Sequence, residues 1–556
     1  MGSINSDWQT IVAAKQKKSQ SLIPEAWKIP ESIKKELKYP LEENANRILD
    51  LDIPKRSGIL SEREVEITES NTVAELLSKL ASGAYTSLEV ATAFCKRAAI
   101  AQQLVSCLTE TFFDQAIARA KELDQAKADG KPLGPLHGLP ISMKDGFQIK
   151  GLEASIGYVS FLGKLSEANS PLVDVLLGAG AVLYCKTNIP MTLMTADSHN
   201  NIFGRALNPH NTALNAGGSS GGEGALVAMR GSPIGVGTDV AGSIRIPSLC
   251  CGTYGFKPTS SRIPYGGQAI PGLPGFKPIV ASAGPLANDF EALEIFAKAV
   301  IDSTPALLDS TALDVPWRTL KPITNSRLRF GVLPADPLYP LHPPVKRALE
   351  EAVKLIQAQG HEIVHLDVGE TRVADACELS FELFTLTPGA AMGHLKASGE
   401  PPVPSVLAQT ATANHGKYKF IPDFKHLDKL HEYAALSVKR QEYTEDWRKL
   451  WNHHKLDAII APAAQNTAVP HDTFGWPPYT VLFNVLDFPS VVMPFSKASK
   501  EIDSEPFQPQ PGQAGTSYIP ELFDGAPVSI QVATTRMRDE EVINISRVVD
   551  SILNKA

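Results

Sequence analysis

The chain has 556 residues, and 53 Lys and Arg residues against 60 Asp and Glu residues give a formal net charge of −7. Hydrophobic residues make up 43% and charged residues 20%, as in globular proteins with a large core, which excludes extensive disorder and collagen-like or coiled-coil designs. Because phosphate binding requires a basic surface, the acidic balance argues against a nucleic-acid partner. No run of about 18 uncharged apolar residues occurs, so we expect no transmembrane segment.

The N-terminal residues and the cysteines indicate in which cellular compartment the protein is expected. The first residues are polar and lack the apolar run of a secretory signal. Residues 1–6 do fit the myristoylation pattern M-G-x-x-x-S/T, but this pattern is short and common. The 6 cysteines include no C-x-x-C pair and suit no zinc site. We therefore expect free thiols, no metal, no cofactor, and an unmodified cytoplasmic protein.

In chain order, proline-interrupted charge clusters over residues 1–70 predict an N-terminal helical arm packed on the body. Apolar spacing becomes helical from Thr72, and Thr86 with Glu89 fits a capping box that starts a helix. No linker interrupts the rest, so residues 71–556 are predicted to form a single domain. Residues 375–450 are the least readable part of it.

Short apolar runs alternate with helical stretches along the body of the chain. This rhythm is typical of an α/β fold in which strands are buried between helical layers. The predicted strands are Pro140–Met143, Ala181–Tyr184, Ser232–Val236, Leu328–Leu333, Glu362–Leu366, Ala458–Ala461, Val491–Pro494 and Val528–Val532.

Two glycine-rich blocks, residues 216–224 and 235–247, are the most unusual stretches. Such glycine density lets backbone N–H groups turn toward one point, and the interleaved strand-forming residues argue against a flexible linker. No phosphate-binding motif is complete. Residues 217–221 match G-x-S-x-G, which makes Ser219 a candidate nucleophile. That motif needs a histidine partner late in the chain, and no histidine there lies in a sequence context that identifies it as one.

Lys144 follows the predicted strand Pro140–Met143 directly. A lysine in this position is ordinarily a surface residue whose stem covers apolar neighbours. If it is buried instead, desolvation favours the neutral amine, which can act as a general base for a nearby serine.

The ordered blocks resemble the amidase signature family, and its fungal acetamidase-type branch most closely. The resemblance is dense over residues 72–300 and patchy beyond. It is carried by Lys144 and its preceding Pro-Leu-His-Gly-Leu-Pro, Gly-Gly-Ser-Ser-Gly-Gly at 217–222, Gly-Thr-Asp-Val-Ala-Gly-Ser-Ile-Arg at 237–245, and Gly-Phe-Lys-Pro-Thr at 255–259.

The resemblance implies a Ser–cisSer–Lys triad with Ser243 as the nucleophile, Ser219 as a proton relay after a cis peptide bond, and Lys144 as the neutral base. The separations of 75 and 24 residues agree with the family pattern. Ser219 is thereby reassigned from nucleophile to relay. The implied oxyanion donors are the backbone N–H groups of Val240, Ala241, Gly242 and Ser243.

Other residues of the blocks are given supporting roles. Asp239 and Arg245 flank Ser243 and are expected to pair and hold its loop. Ser220 is expected to hydrogen-bond within the glycine loop. The segment with Met191 and Leu193 resembles the one that lines the substrate channel of fatty-acid amide hydrolase, although apolar residues there are equally consistent with core.

The resemblance therefore implies an α/β fold with a large mixed, mostly parallel sheet between helices, with 375–450 as a variable substrate-side insertion. The implied enzyme hydrolyses small-molecule linear carboxylic amides through a serine acyl-enzyme, and a homodimer is expected from the family. Two alternatives stay open: a glutamine-hydrolysing subunit of an amidotransferase, and a non-catalytic binding protein on the same scaffold. The preferred acyl group is left open.

Overall fold

A computed structural model describes residues 8–324, 326–387, 389–413 and 421–554. The N-terminal residues that fit the myristoylation pattern lie outside these ranges. None of the helices within them combines the length and the hydropathy needed to cross a bilayer.

Strands from all parts of the body meet in one large sheet. The described strands are β1 (Leu108–Thr111), β2 (Pro140–Lys144), β3 (Val182–Thr187), β4 (His199–Asn200), β5 (Gly204–Arg205), β6 (Ile234–Asp239), β7 (Tyr254–Lys257), β8 (Ser282–Ala287), β9 (Arg329–Val332), β10 (Glu362–His365), β11 (Ala458–Pro462), β12 (Ser490–Lys497) and β13 (Pro527–Ala533). Eleven of them form the sheet in the order β1-β3-β2-β6-β8-β7-β12-β13-β11-β9-β10, and β4 pairs with β5 apart from it.

The mixed sheet is confirmed, but its predominantly parallel character is not. Parallel pairing is confined to β3-β2-β6 on one side and β11-β9-β10 on the other. Every other pairing in the sheet is antiparallel, including the whole central run from β6 through β11. The two parallel groups are thus joined by an antiparallel centre, which the apolar runs could not reveal because their composition does not encode strand direction.

Helices cover the sheet and close the core. They are α1 (Trp8–Ser21), α2 (Glu31–Lys34), α3 (Ile53–Arg56), α4 (Glu62–Glu69), α5 (Val73–Ser82), α6 (Ser87–Val105), α7 (Phe113–Ala128), α8 (Pro171–Gly178), α9 (Gly221–Ala228), α10 (Arg245–Cys251), α11 (Glu291–Ile301), α12 (Pro343–Ala358), α13 (Val368–Thr371), α14 (Val373–Thr385), α15 (Gly389–Ser398), α16 (Pro404–Ala413), α17 (Lys429–His454), α18 (Pro478–Val485), α19 (Pro520–Phe523) and α20 (Asp539–Leu553). Strands β3, β6, β8 and β13 are buried along their whole length, as expected when both faces of a sheet are covered.

All eight predicted strands are present, and the capping box predicted at Thr86 starts α6. The structure adds β1, β7 and β8 to the sheet. β1 reads Leu-Thr-Glu-Thr and β8 reads Ser-Ala-Gly-Pro-Leu-Ala, so neither carries the run of branched apolar residues that marks a buried strand.

The N-terminal segment lies against the body through apolar and ionic contacts. Val12 of α1 packs with Val159 and Ile202, and Lys15 pairs with Glu110 of β1. The division of the chain into an arm over 1–70 and a domain over 71–556 stays a prediction.

Candidate active site

The ends of two neighbouring strands bring the predicted residues together. β2 and β6 are adjacent and parallel, and they end at Lys144 and Asp239. Ser219 lies two residues before the start of α9, and Ser243 lies between β6 and α10. Because the carboxyl ends of parallel strands meet at one edge of a sheet, the lysine and the two serine loops converge there, which is where ligands bind in α/β proteins.

Lys144 is fully buried, with 1% of its surface exposed. Its Nζ lies 2.7 Å from Ser219 Oγ and 2.7 Å from Thr238 Oγ1. Burial lowers the pKa of Lys144 to about 7, although the charges of Asp239 and Glu223 act in the opposite direction. A substantial fraction of this lysine is therefore neutral near pH 7 and able to accept a proton.

The two serine loops contact each other directly. The Gly218–Ser219 peptide bond is cis. Ser220 N–H donates to the carbonyl oxygen of Ser243 at 3.2 Å, and Thr238 N–H donates to Ser220 Oγ at 3.3 Å. Ser220 thus joins the glycine loop both to the end of β6 and to the Ser243 loop.

Asp239 and Arg245 form a buried pair that spans the Ser243 loop. Arg245 donates from Nε and Nη2 to the two carboxylate oxygens at 3.0 Å each. Burial alone would raise the pKa of Asp239, but the Arg245 charge and its hydrogen bonds hold it well below the ordinary value. Asp239 also accepts the backbone N–H of Ile244 at 3.2 Å. The charged pair therefore fixes the path of the loop that carries Ser243.

The proposed oxyanion donors are not all available. Gly242 N–H donates to Asp239 Oδ1 at 2.8 Å, so the expectation that it is a free donor is corrected. In the described chain, no acceptor occurs for the N–H groups of Val240, Ala241 or Ser243. Gly242 has φ +125°, and a Cβ there would lie 2.3 Å from Thr480 Oγ1, so only glycine fits at this turn.

Helix α18 supplies supports that sequence reasoning missed. Thr480 Oγ1 donates to the carbonyl oxygen of Ala241 at 2.7 Å. Asn484, one turn later, donates to Asp239 and accepts from Arg245 at 2.8 and 2.6 Å. The sequence signal for these supports was the i, i+4 spacing of Thr480 and Asn484, which places both on one face of an otherwise apolar helix. Thr238 was also missed as a partner of Lys144, although it lies within the second glycine-rich block.

Met191 and Leu193 lie in a separate apolar cluster beside the site. Met191 is fully buried and Leu193 half-buried, and Leu395 and Val403 from 375–450 pack in the same cluster. Thr192 and Leu193 have φ of +73° and +60°. Met191 is therefore core in this structure, whereas Leu193 stays a candidate for a pocket wall.

No group of three or more His, Cys, Asp or Glu side chains that could hold a metal ion occurs within the described ranges. All 6 cysteines are free and buried.

Several known proteins that are similar to this chain carry amidase names. The amidase family profile matches residues 89–543. The chain is 38% identical to an amidase of Gibberella moniliformis over 98% of this chain and 99% of that one. It is 38% identical to an acetamidase of Emericella nidulans over 98% of each chain. Among solved structures, a fatty acid amide hydrolase matches with a TM-score of 0.87 and 31% identity, covering 99% of this chain and 95% of that one.

The structure places a buried lysine in contact with Ser219 and next to the loop that bears Ser243, a combination of residue types that serine hydrolases with lysine in place of histidine use. The profile match and the relatives make the assignment specific: the chain belongs to the amidase family and is an amidohydrolase that acts on carboxylic amides.

Proposed function

We propose that this chain hydrolyses small linear carboxylic amides through an acyl-enzyme on Ser243, with Ser219 and Lys144 moving the protons. The observation that carries the proposal is the fully buried Lys144, whose Nζ lies 2.7 Å from Ser219 Oγ and whose pKa burial lowers to about 7. A lysine in this state is a base matched to neutral pH, which is the requirement for general-base catalysis.

In the first half-reaction, Ser243 Oγ attacks the amide carbonyl carbon while its proton passes to Ser219 Oγ. Ser219 in turn releases its own proton to the neutral Lys144 Nζ. The carbonyl oxygen becomes an oxyanion, stabilised by the N–H groups of Val240, Ala241 and Ser243. Each such donor contributes about 3 kcal/mol of transition-state stabilisation. The proton then returns from Lys144 through Ser219 to the leaving nitrogen, the C–N bond breaks, and ammonia or an amine departs.

In the second half-reaction, water attacks the Ser243 ester and its proton follows the same path to Lys144. The tetrahedral intermediate collapses, Ser243 recovers its proton, and the carboxylic acid leaves. Acid and base roles thus alternate on the same two side chains, without any other proton carrier.

The test measures ammonia or amine release from acetamide, hexanamide, benzamide, an anilide and glutamine, with wild type against Ser243→Ala. The acetamidase relative supports acetamide as the first substrate. We expect wild type to turn over at least one amide other than glutamine, and Ser243→Ala to lose that activity. Turnover of glutamine alone would support the amidotransferase alternative. Failure of a fluorophosphonate to label Ser243 would contradict the nucleophile assignment.

A further inference from the structure

A groove of about 610 Å³ lies beside the C-terminal end of α17. Three parts of the chain line it: the last turns of α17, the residues just before β12, and the residues just after β13. Lys144, Ser219 and Ser243 are not among the lining residues, so the groove is separate from the candidate active site. Its volume is that of a site for an organic molecule rather than for a single ion.

Part of the lining is aromatic and apolar. Trp451 is half-buried, and its ring lies edge-on to Phe488 with 5.9 Å between the ring centroids. Trp447 also lies edge-on to Phe488, at 6.3 Å, and the buried Leu456 and Leu486 complete this part of the lining. Among the described residues, no acceptor occurs for Trp451 Nε1. The fold thus fixes an aromatic surface and leaves part of it uncovered, which favours a flat apolar ligand.

The charged part of the lining is mainly cationic. It consists of Arg448, Lys455, Arg536 and Arg538, with Glu445 as the one carboxylate. Arg448 donates to Glu445 at 2.7 and 2.8 Å, and Arg536 Nε lies 2.8 Å from a carboxylate oxygen of the residue before Phe488. Lys455 and Arg538 are exposed and have neither an ion-pair partner nor a hydrogen-bond acceptor in the described part of the chain. In a chain with a net charge of −7, this local excess of positive charge favours an anion.

Neither of these two unpartnered cations is the residue type that its backbone position favours. Arg538 is the N-cap of α20, where Ser, Thr, Asp and Asn are preferred and a positive charge opposes the helix dipole. Its side chain makes no capping hydrogen bond. Lys455 ends α17 with a left-handed backbone, φ +50°, which favours Gly or Asn. The charge of Lys455 does suit a helix C-terminus, but local structure gives no reason for Arg538, whereas an anion in the groove would.

We propose that this groove binds a small aromatic carboxylate, with its ring against Trp451 and its charge facing Lys455 and Arg538. The two cations provide charge complementarity, and the aromatic lining provides apolar contact that an inorganic anion does not use. A singly charged carboxylate is favoured over a doubly charged phosphate, because the C-terminal end of α17 contributes partial negative charge. The site does not depend on the chemistry proposed for Ser243.

The experiment measures the affinity of the full chain for naphthoate by titration calorimetry. We expect wild type to bind it and the double variant Lys455→Gln/Arg538→Gln to bind it about tenfold more weakly, since two charge-assisted contacts are lost. The neutral analogue naphthylmethanol should bind wild type about tenfold more weakly for the same reason. Lys449→Gln is the matched control, because this exposed cation of α17 does not line the groove, and it should keep the wild-type affinity.

Absence of naphthoate binding, or equal binding by wild type and the double variant, would overturn the proposal. Equal binding is the result expected if the acid occupies the active site instead. Tighter binding of naphthyl phosphate than of naphthoate would overturn the choice of a carboxylate.

Trp451→Leu tests the aromatic contact separately from the charges. We expect naphthoate affinity to fall about fivefold, and Trp451→Phe, which keeps an aromatic ring, to lose less. Thermal unfolding of each variant checks that the fold is retained. Wild-type affinity in Trp451→Leu would overturn the placement of the ring. If the amide panel shows no turnover while naphthoate binding depends on Lys455 and Arg538, the proposed function alone fails.

Discussion

At the scale of single residues, the neutral form of Lys144 that the proposed mechanism needs is obtained at a cost in stability. An ordinary lysine is charged at neutral pH, and burying the charge is unfavourable. Here the folded chain holds the amine with a pKa of about 7, far below its ordinary value of 10.5. Between these values the unfolded chain binds a proton that the folded chain does not, so this residue makes the free energy of unfolding rise with pH.

A Lys144→Met variant tests whether the buried lysine lowers the stability of the fold. We expect it to be inactive and, at pH 7.5, more stable by about 2 kcal/mol, because losing the deprotonation cost outweighs losing two hydrogen bonds. The measurement is denaturant unfolding from pH 7 to 10 beside amidase activity. Over that range the pH dependence of stability in the variant should be flatter than in wild type. Ser219→Ala is the control that should keep the wild-type dependence, and parallel curves for Lys144→Met would contradict the prediction.

At the scale of elements, helix α18 supports the loop that bears Ser243 from outside both glycine-rich blocks. Thr480 and Asn484 face the loop from successive turns and bond Ala241, Asp239 and Arg245. The motif residues were predictable because their types and spacing are specific. Their supports were not, since a threonine and an asparagine in an apolar helix become informative only when the loop they meet is known.

Removing one such support should lower the rate without unfolding the protein. Thr480→Val keeps the side-chain shape but loses the hydrogen bond to Ala241, so the peptide that precedes the Gly242 turn is less firmly held. We expect kcat/KM to fall about tenfold, which corresponds to about 1.4 kcal/mol. Thr473→Val, at an exposed threonine that bonds Pro470, is the matched control and should retain full activity. Equal losses in both variants would contradict a specific role for α18.

The strands of the sheet likewise differ in how well their composition predicts them. Runs such as Ile-Ile-Ala at 459–461 identify buried strands whatever their neighbours are. Strand β8 contains glycine, proline and two alanines, and it is a strand because β6 and β7 pair with it on both sides. Its place, and with it the antiparallel centre of the sheet, depends on tertiary pairing rather than on local preference.

At the scale of the whole molecule, an N-terminal helix contributes a charge to the interior of the body. Lys15 of α1 is 8% exposed and pairs with Glu110, and its Nζ lies 2.8 Å from Glu153. Glu110 in turn influences Lys186 of β3, which lies beside Asp145. A residue near the start of the chain thereby completes an ionic cluster that joins β1, β3 and the residue after β2.

Lys15→Met should destabilise the fold by about 3 kcal/mol, because the buried Glu110 and the partly buried Glu153 lose their cation. Lys17→Met, at an exposed position of the same helix, should have little effect. Adding Glu110→Gln to Lys15→Met should restore part of the lost stability, since one unpaired charge is then removed. Thermal unfolding of the two single variants and the double variant provides the measurement, and a double variant less stable than Lys15→Met would argue against the pair.

The contacts that hold the Ser243 loop have a consequence for the interpretation of gene fragments. Lys144, Ser219 and Ser243 all lie in the first half of the chain, but the loop that bears Ser243 is held by Thr480 and, through Arg245, by Gln531. A reading frame that stops after β8 would still encode Lys144, Ser219, Ser243 and both glycine-rich blocks. Its product would lack the partners that shape the reactive loop, so a complete motif in a truncated gene is no evidence of a working enzyme.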